Sequence, residues 1–106
     1  MPGNPFGEFS GDHLPPKILM AERRVLGSLL LGNMAIDEVA GNLPGGQFCS
    51  YVHSVIYAAI QELNEFGTRV DSVTLAEEFD RRNQLEDIGG VPYLCKILEA
   101  ALPATE

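Results

Sequence analysis

Between Tyr51 and Phe66 the apolar residues recur at the spacing of one helix face. Val52, Val55, Ile56, Ala59, Ile60, Leu63 and Phe66 step by three, one, three, one, three and three positions, which on a 3.6-residue helix makes a single stripe. A stripe about four turns long must be buried against other elements, so this stretch predicts the central helix of a small helical domain.

The same spacing predicts helices on either side. Pro15-Pro16 opens the first, since proline is tolerated where the amide has no intrahelical partner. Ile18, Val25, Leu26, Leu29 and Leu30 share its inner face, and Gly32-Asn33 stops it. Gly27 lies inside this helix at a cost of about 1 kcal/mol relative to alanine; it either admits close approach of another helix or is simply tolerated. A shorter helix is expected from Ala35 to Leu43, with Ile36, Val39, Ala40 and Leu43 inward, Asn33 or a neighbour as cap, Asp37 and Glu38 near its positive end, and Pro44-Gly45-Gly46 after it. Phe48 leads into the central helix and Gly67 ends it.

Beyond it, Asp71 is the expected N-cap of the next helix, with Val70 and Leu75 as a hydrophobic staple; Thr74 and Glu77 offer a start three residues later. Glu77 to Arg81 and Glu78 to Arg82 have the spacing of exposed ion pairs. Gln84 to Ile88 fits one turn, Gly89-Gly90 breaks the chain, and Pro92 suits the first turn of a last helix carrying Leu94, Ile97, Leu98 and Ala101 up to Pro103. No stretch alternates with period two and no hairpin dipeptide occurs. The predicted class is all-α, a compact orthogonal bundle of about five to six helices. Its expected core is Val25, Leu26, Leu29, Phe48, Val52, Val55, Ile56, Ile60, Leu63, Leu94 and Ile97. Residues 1–14, with three glycines, two prolines and no periodicity, are expected to form a flexible tail before a folded head over 15–106.

Composition narrows the function. At 106 residues and 45% hydrophobic the chain fits one globular domain. No apolar run approaches the roughly 18 residues of a membrane span, and the amino terminus lacks the pattern of a signal peptide, so the expected setting is the cytoplasm with no membrane contact. The formal charge of −8 deepens toward the carboxyl end: residues 51 to 106 hold four basic and ten acidic side chains. Phosphate backbones are repelled by such a surface, so direct nucleic-acid binding by this chain is not expected.

Chemistry is sparse. There is no phosphate-cradling glycine loop and no H-E-x-x-H. Cys49 and His53 stand four apart, but zinc usually takes four ligands, and packing of Cys49 and Cys95 as buried reduced thiols is the expectation. His53 is expected in a partly buried hydrogen-bonding role rather than in catalysis, and Glu77, Glu78 and Asp80 on a solvated face. No catalytic, cofactor-binding or metal site is assigned; an interaction module is the favoured class, with a small helical enzyme or metal protein as a rival.

Taken in order, several stretches resemble the N-terminal domain of the bacterial replicative DNA helicase, the DnaB family. P15-P-K-I-L-M-A-E-R-R-V-L-G27 is similar to P-x-x-x-E-A-E-x-x-V-L-G, and F48-C-S-Y-V-H-S-V-I-Y57 to F-Y-x-x-x-H-x-x-I-[FY]. V70-D-S-V-T-L-A-E-E-F79 and L85-E-D-I-G-G-V-P-Y-L94 resemble V-D-x-[VI]-T-[LV]-x-x-x-[LF] and L-x-x-[IV]-G-G-x-x-Y-L, and A101-L-P-A-T resembles the family's exit from the head. The likeness runs in register over about residues 15 to 105.

It implies a non-catalytic helical head whose helical hairpin, linker and motor lie beyond Glu106, the motor being an ATP- and Mg-dependent 5′–3′ helicase. It also implies self-association into a dimer and then a hexamer built as a trimer of dimers, and docking of the C-terminal domain of primase. Met20, Arg23, Arg24 and Tyr93 are the interaction candidates it suggests, Tyr93 being equally a core-edge tyrosine. Met20 replaces the family's usual glutamate, Cys49 its tyrosine, and Gly45-Gly46-Gln47 its frequent acids. The implied primase contact is then weaker or differently built. The helicase-binding domain of primase, of similar fold, is the alternative.

Overall fold

The computed structural model describes residues 14–103. The predicted tail at 1–14 lies outside these residues, Leu14 excepted. Four α-helices follow in order: α1 (Pro16–Leu30), α2 (Tyr51–Glu65), α3 (Ser72–Arg81) and α4 (Gly90–Ala101). Single 3-10 turns occur at Ile36–Glu38, Ala40–Asn42, Pro44–Gly46 and Glu86–Ile88. Among the described residues there is no strand, so the all-α class holds, with four α-helices in place of the expected five to six.

The difference lies in the Ala35–Leu43 stretch, expected as a helix. Gly41 and Asn42 are weak helix formers and Leu43 is extended, so only separate three-residue turns form, closed by Glu38 N–H to Ala35 O and Asn42 N–H to Val39 O. Val39 and Leu43 are still buried, although Ala40 is exposed.

Helix ends are set locally. Pro16 starts α1, and Gly32, at φ 78°, ends it with Asn33 N–H bonded to Ser28 O. Gly67, at φ 76°, does the same for α2, with Thr68 N–H on Leu63 O. Asp71 caps α3: its carboxylate accepts from Thr74 N–H at 2.9 Å while the Thr74 hydroxyl receives Asp71 N–H at 3.0 Å. The start at Asp71 is therefore the one used. Arg82 pairs with Glu78 as its spacing predicted, whereas Arg81 turns to Glu78 instead of Glu77.

α1 packs most extensively on α4, at Gly27. A β-carbon there would overlap the carbonyl oxygen of Ile97 and lie 2.7 Å from Ala101 Cβ, so close helix approach is the reason for this glycine. The core joins Val25, Leu26, Leu29 and Leu30 of α1 to Val52, Ile56, Ala59, Ile60 and Leu63 of α2, Leu75 and Phe79 of α3, Ile88, and Leu94 and Ile97 of α4. Phe48 and Val55 pack on it while only partly buried. Phe66 departs from the predicted stripe: it is the C-cap of α2, where the chain leaves helical geometry, and it is 83% exposed. Cys49 and Cys95, expected inside, are both exposed free thiols.

A buried polar chain beneath a candidate interaction surface

Glu22 sits on the inner stripe of α1, among Val25, Leu26 and Leu29, and is wholly buried. Its carboxylate meets the start of α2. There it accepts the backbone N–H of Cys49, the N–H of Ser50 at 3.2 Å and the ring of His53 through Nδ1 at 2.7 Å. Ser50 is the N-cap of α2, its hydroxyl receiving His53 N–H at 3.3 Å. Free N–H groups at a helix start favour an anion, so the backbone and one side chain converge on this acid.

An ionised carboxylate only accepts, so Nδ1 of His53 carries the hydrogen toward Glu22. In the neutral ring Nε2 is then an acceptor, taking the Tyr93 hydroxyl at 2.5 Å. Tyr93 in turn receives Nε–H of Arg23 at 3.2 Å. The bonds run in one direction, from Arg23 at the surface through Tyr93 and His53 to Glu22. Tyr93 also stacks on His53 with ring centroids 5.9 Å apart, and the Arg23 guanidinium lies 5.6 Å from the Tyr93 ring centre. Burial alone would raise the Glu22 carboxyl, but the His53 hydrogen bond and the Cys49 and Ser50 amides outweigh it and hold it below the usual range.

A sealed chain of this kind is structural. A catalytic base has to reach a substrate, whereas His53 has no exposed surface and both ring nitrogens are engaged. The same engagement leaves neither nitrogen for a metal beside Cys49. Among the described residues no three His, Cys, Asp or Glu side chains converge on a metal position. An open groove of about 490 Å³ between the ends of α1 and α2 is lined largely by apolar residues, Leu29, Met34, Ile36, Ile60 and Val70 among them.

Of the sequence-derived candidates, Met20, Arg23 and Tyr93 come together: the Arg23 guanidinium reaches the Met20 sulfur at 3.8 Å and Tyr93 on its other side. Arg24 lies exposed on the same helix. Tyr93 is half-buried, with its hydroxyl directed inward. Glu22, the buried acceptor that holds this chain, is not among the sequence-derived candidates. Its signal in the sequence is an acid at an apolar-stripe position of α1, where the helix face turns inward.

Fold and site define a small all-helical domain in which a buried polar chain braces three helices, α1, α2 and α4. The chain belongs to the DnaB family, its residues 14–106 matching the DnaB-like helicase N terminal domain. It is 46% identical over 80 residues to the replicative DNA helicase DnaB of Mycobacterium leprae, covering 76% of this chain and 13% of that one. It is 36% identical over 102 residues to the replicative DNA helicase DnaB of Treponema pallidum, covering 94% of this chain and 23% of that one. The crystal structure of the N-terminal domain of DnaB helicase from Mycobacterium tuberculosis superposes with a TM-score of 0.69 at 43% identity, covering 81% of this chain and 62% of that domain. The chain thus spans under a quarter of the length of these two curated relatives.

Proposed function

We propose that this chain serves as the N-terminal head of a hexameric replicative DNA helicase, a non-catalytic domain for assembly and partner recruitment in DNA replication. The observation that carries this reading is the agreement of fold and register with the mycobacterial DnaB N-terminal domain at 43% identity. In that role copies pair and then close a collar as a trimer of dimers, and the head contributes to docking of the primase C-terminal domain. Met20, Arg23, Arg24 and Tyr93 form the proposed contact region. ATP and Mg belong to the motor of the longer protein, which works in the cytoplasm. Among the described residues no helix is long and apolar enough to cross a membrane. The net charge of −8 keeps this head itself off the DNA backbone.

Assembly is tested by sedimentation equilibrium of the 106-residue chain. A domain of this size offers a small interface and small interfaces hold weakly, so a monomer–dimer equilibrium that shifts with concentration is expected. Monomer alone up to millimolar concentration contradicts the assembly role.

A further inference from the structure

Phe66 is the most exposed of the large apolar side chains described, at 83%, yet its backbone is fixed. Its N–H is bonded to Glu62 O at 3.1 Å, and Gly67, at φ 76°, turns the chain away directly after it. The end of α2 therefore holds an aromatic ring out in water at a set place, where it adds nothing to the core. Beside it lies the groove of about 490 Å³ between the ends of α1 and α2. Asn64, two residues before Phe66, and Val70, four after it, both line that groove, so ring and groove share one patch.

The patch carries one charge of each sign. Asp37, exposed, lies on the edge of the groove. Arg69 stands next to Val70 with its side chain 87% exposed, and its pairing with Asp71 at 3.5 Å is of the solvated kind that contributes little and is readily exchanged. A surface that holds a ring and a cation together with an apolar hole and an acid is complementary to itself under a two-fold rotation, each copy giving what the other takes.

We propose that two copies of this chain meet through this patch, Phe66 of each seated in the groove of the other and Arg69 of each paired with Asp37 of the other. This rests on the assembly reading above and names the surface that serves it. An unrelated apolar segment would fill the groove and leave Phe66 in water, whereas a second copy covers both. Two buried rings account for about 300–500 Å², a minor part of the roughly 1,200 Å² that a stable interface buries. The pairing is therefore weak and depends on concentration.

The test compares variants of the 106-residue chain by sedimentation equilibrium. Phe66→Ser is expected to raise the dimer dissociation constant roughly tenfold or more, because the symmetric contact loses its ring twice. Arg69→Asp and Asp37→Arg should each weaken association alone, and an equimolar mixture of the two should recover it, since in the mixed pair both cross contacts again set acid against base. All three positions are exposed, so thermal midpoints close to the parent's by circular dichroism verify folding. Val91→Ser, at an exposed valine of α4, should associate as the parent does. Parent-like association of Phe66→Ser, an equal loss in Val91→Ser, or no recovery in the mixture overturns the proposed surface while assembly stands. Stronger association once residues 1–13 are removed gives the groove to the chain's own amino-terminal segment and overturns it as well. A parent chain that stays monomeric overturns both surface and assembly. A longer chain that pairs through Phe66 and forms no hexamer keeps the surface and overturns the hexameric reading.

Discussion

Glu22 is the residue on which the site turns. It accepts from two backbone amides and one imidazole with its own side chain wholly buried, so its removal takes an acceptor from three donors at once. Glu22→Ala is expected to cost about 3–5 kcal/mol, the range for breaking a buried pair from one side, read from urea unfolding. The pH dependence follows from its lowered carboxyl. The folded state binds the proton less readily than the unfolded chain, so this stabilisation is present above the unfolded value of about 4.3 and is lost as pH falls through the lower folded value. Glu22→Gln should therefore show a flatter acid limb, its stability deficit narrowing below that pH. A deficit that stays constant from neutral to acid pH contradicts the role given to the charge.

At the scale of elements, the α1–α4 contact depends on what Gly27 lacks. In an exposed helix, alanine in place of glycine is favourable by about 1 kcal/mol. Here the added carbon meets the Ile97 carbonyl and Ala101, and forcing a group into a packed contact typically costs about 1–3 kcal/mol. Backbone on one side gives less than a flexible side chain would, so Gly27→Ala is expected to be destabilising on balance, by a lowered thermal midpoint. A raised midpoint would mean that the helices can separate there freely. Element ends were legible in the sequence because caps act locally: Gly32, Gly67 and Asp71 each work within a few residues. The Ala35–Leu43 stretch was not, since its apolar positions suit a helix while Gly41 and Asn42 leave only separate turns to be pinned by burial of Val39 and Leu43. Periodicity likewise placed Phe66 on a stripe that ends with the helix before it.

For the whole molecule, periodicity and composition supported an acidic helical domain, and the ordered motifs supported its family. The polar chain was out of reach of such arguments: His53 lies 31 residues from Glu22 and 40 from Tyr93, and only the crossing of α1, α2 and α4 brings them together. Fold and surface divide their tasks accordingly. The α2 stripe and the buried chain hold the head, and the outer face of α1 beside Tyr93 stays exposed. Under the proposed recruitment role the head would supply only part of a docking surface, and its affinity for a partner is expected to be a fraction of that shown by a chain extended as in its relatives. Isothermal titration calorimetry of the primase C-terminal domain tests this most directly, with this chain in one titration and, in another, the chain extended through the helical hairpin that the family resemblance implies. Tight binding by the extended protein and weak binding by the head alone are predicted; equal affinities, or no binding by either, would contradict the account.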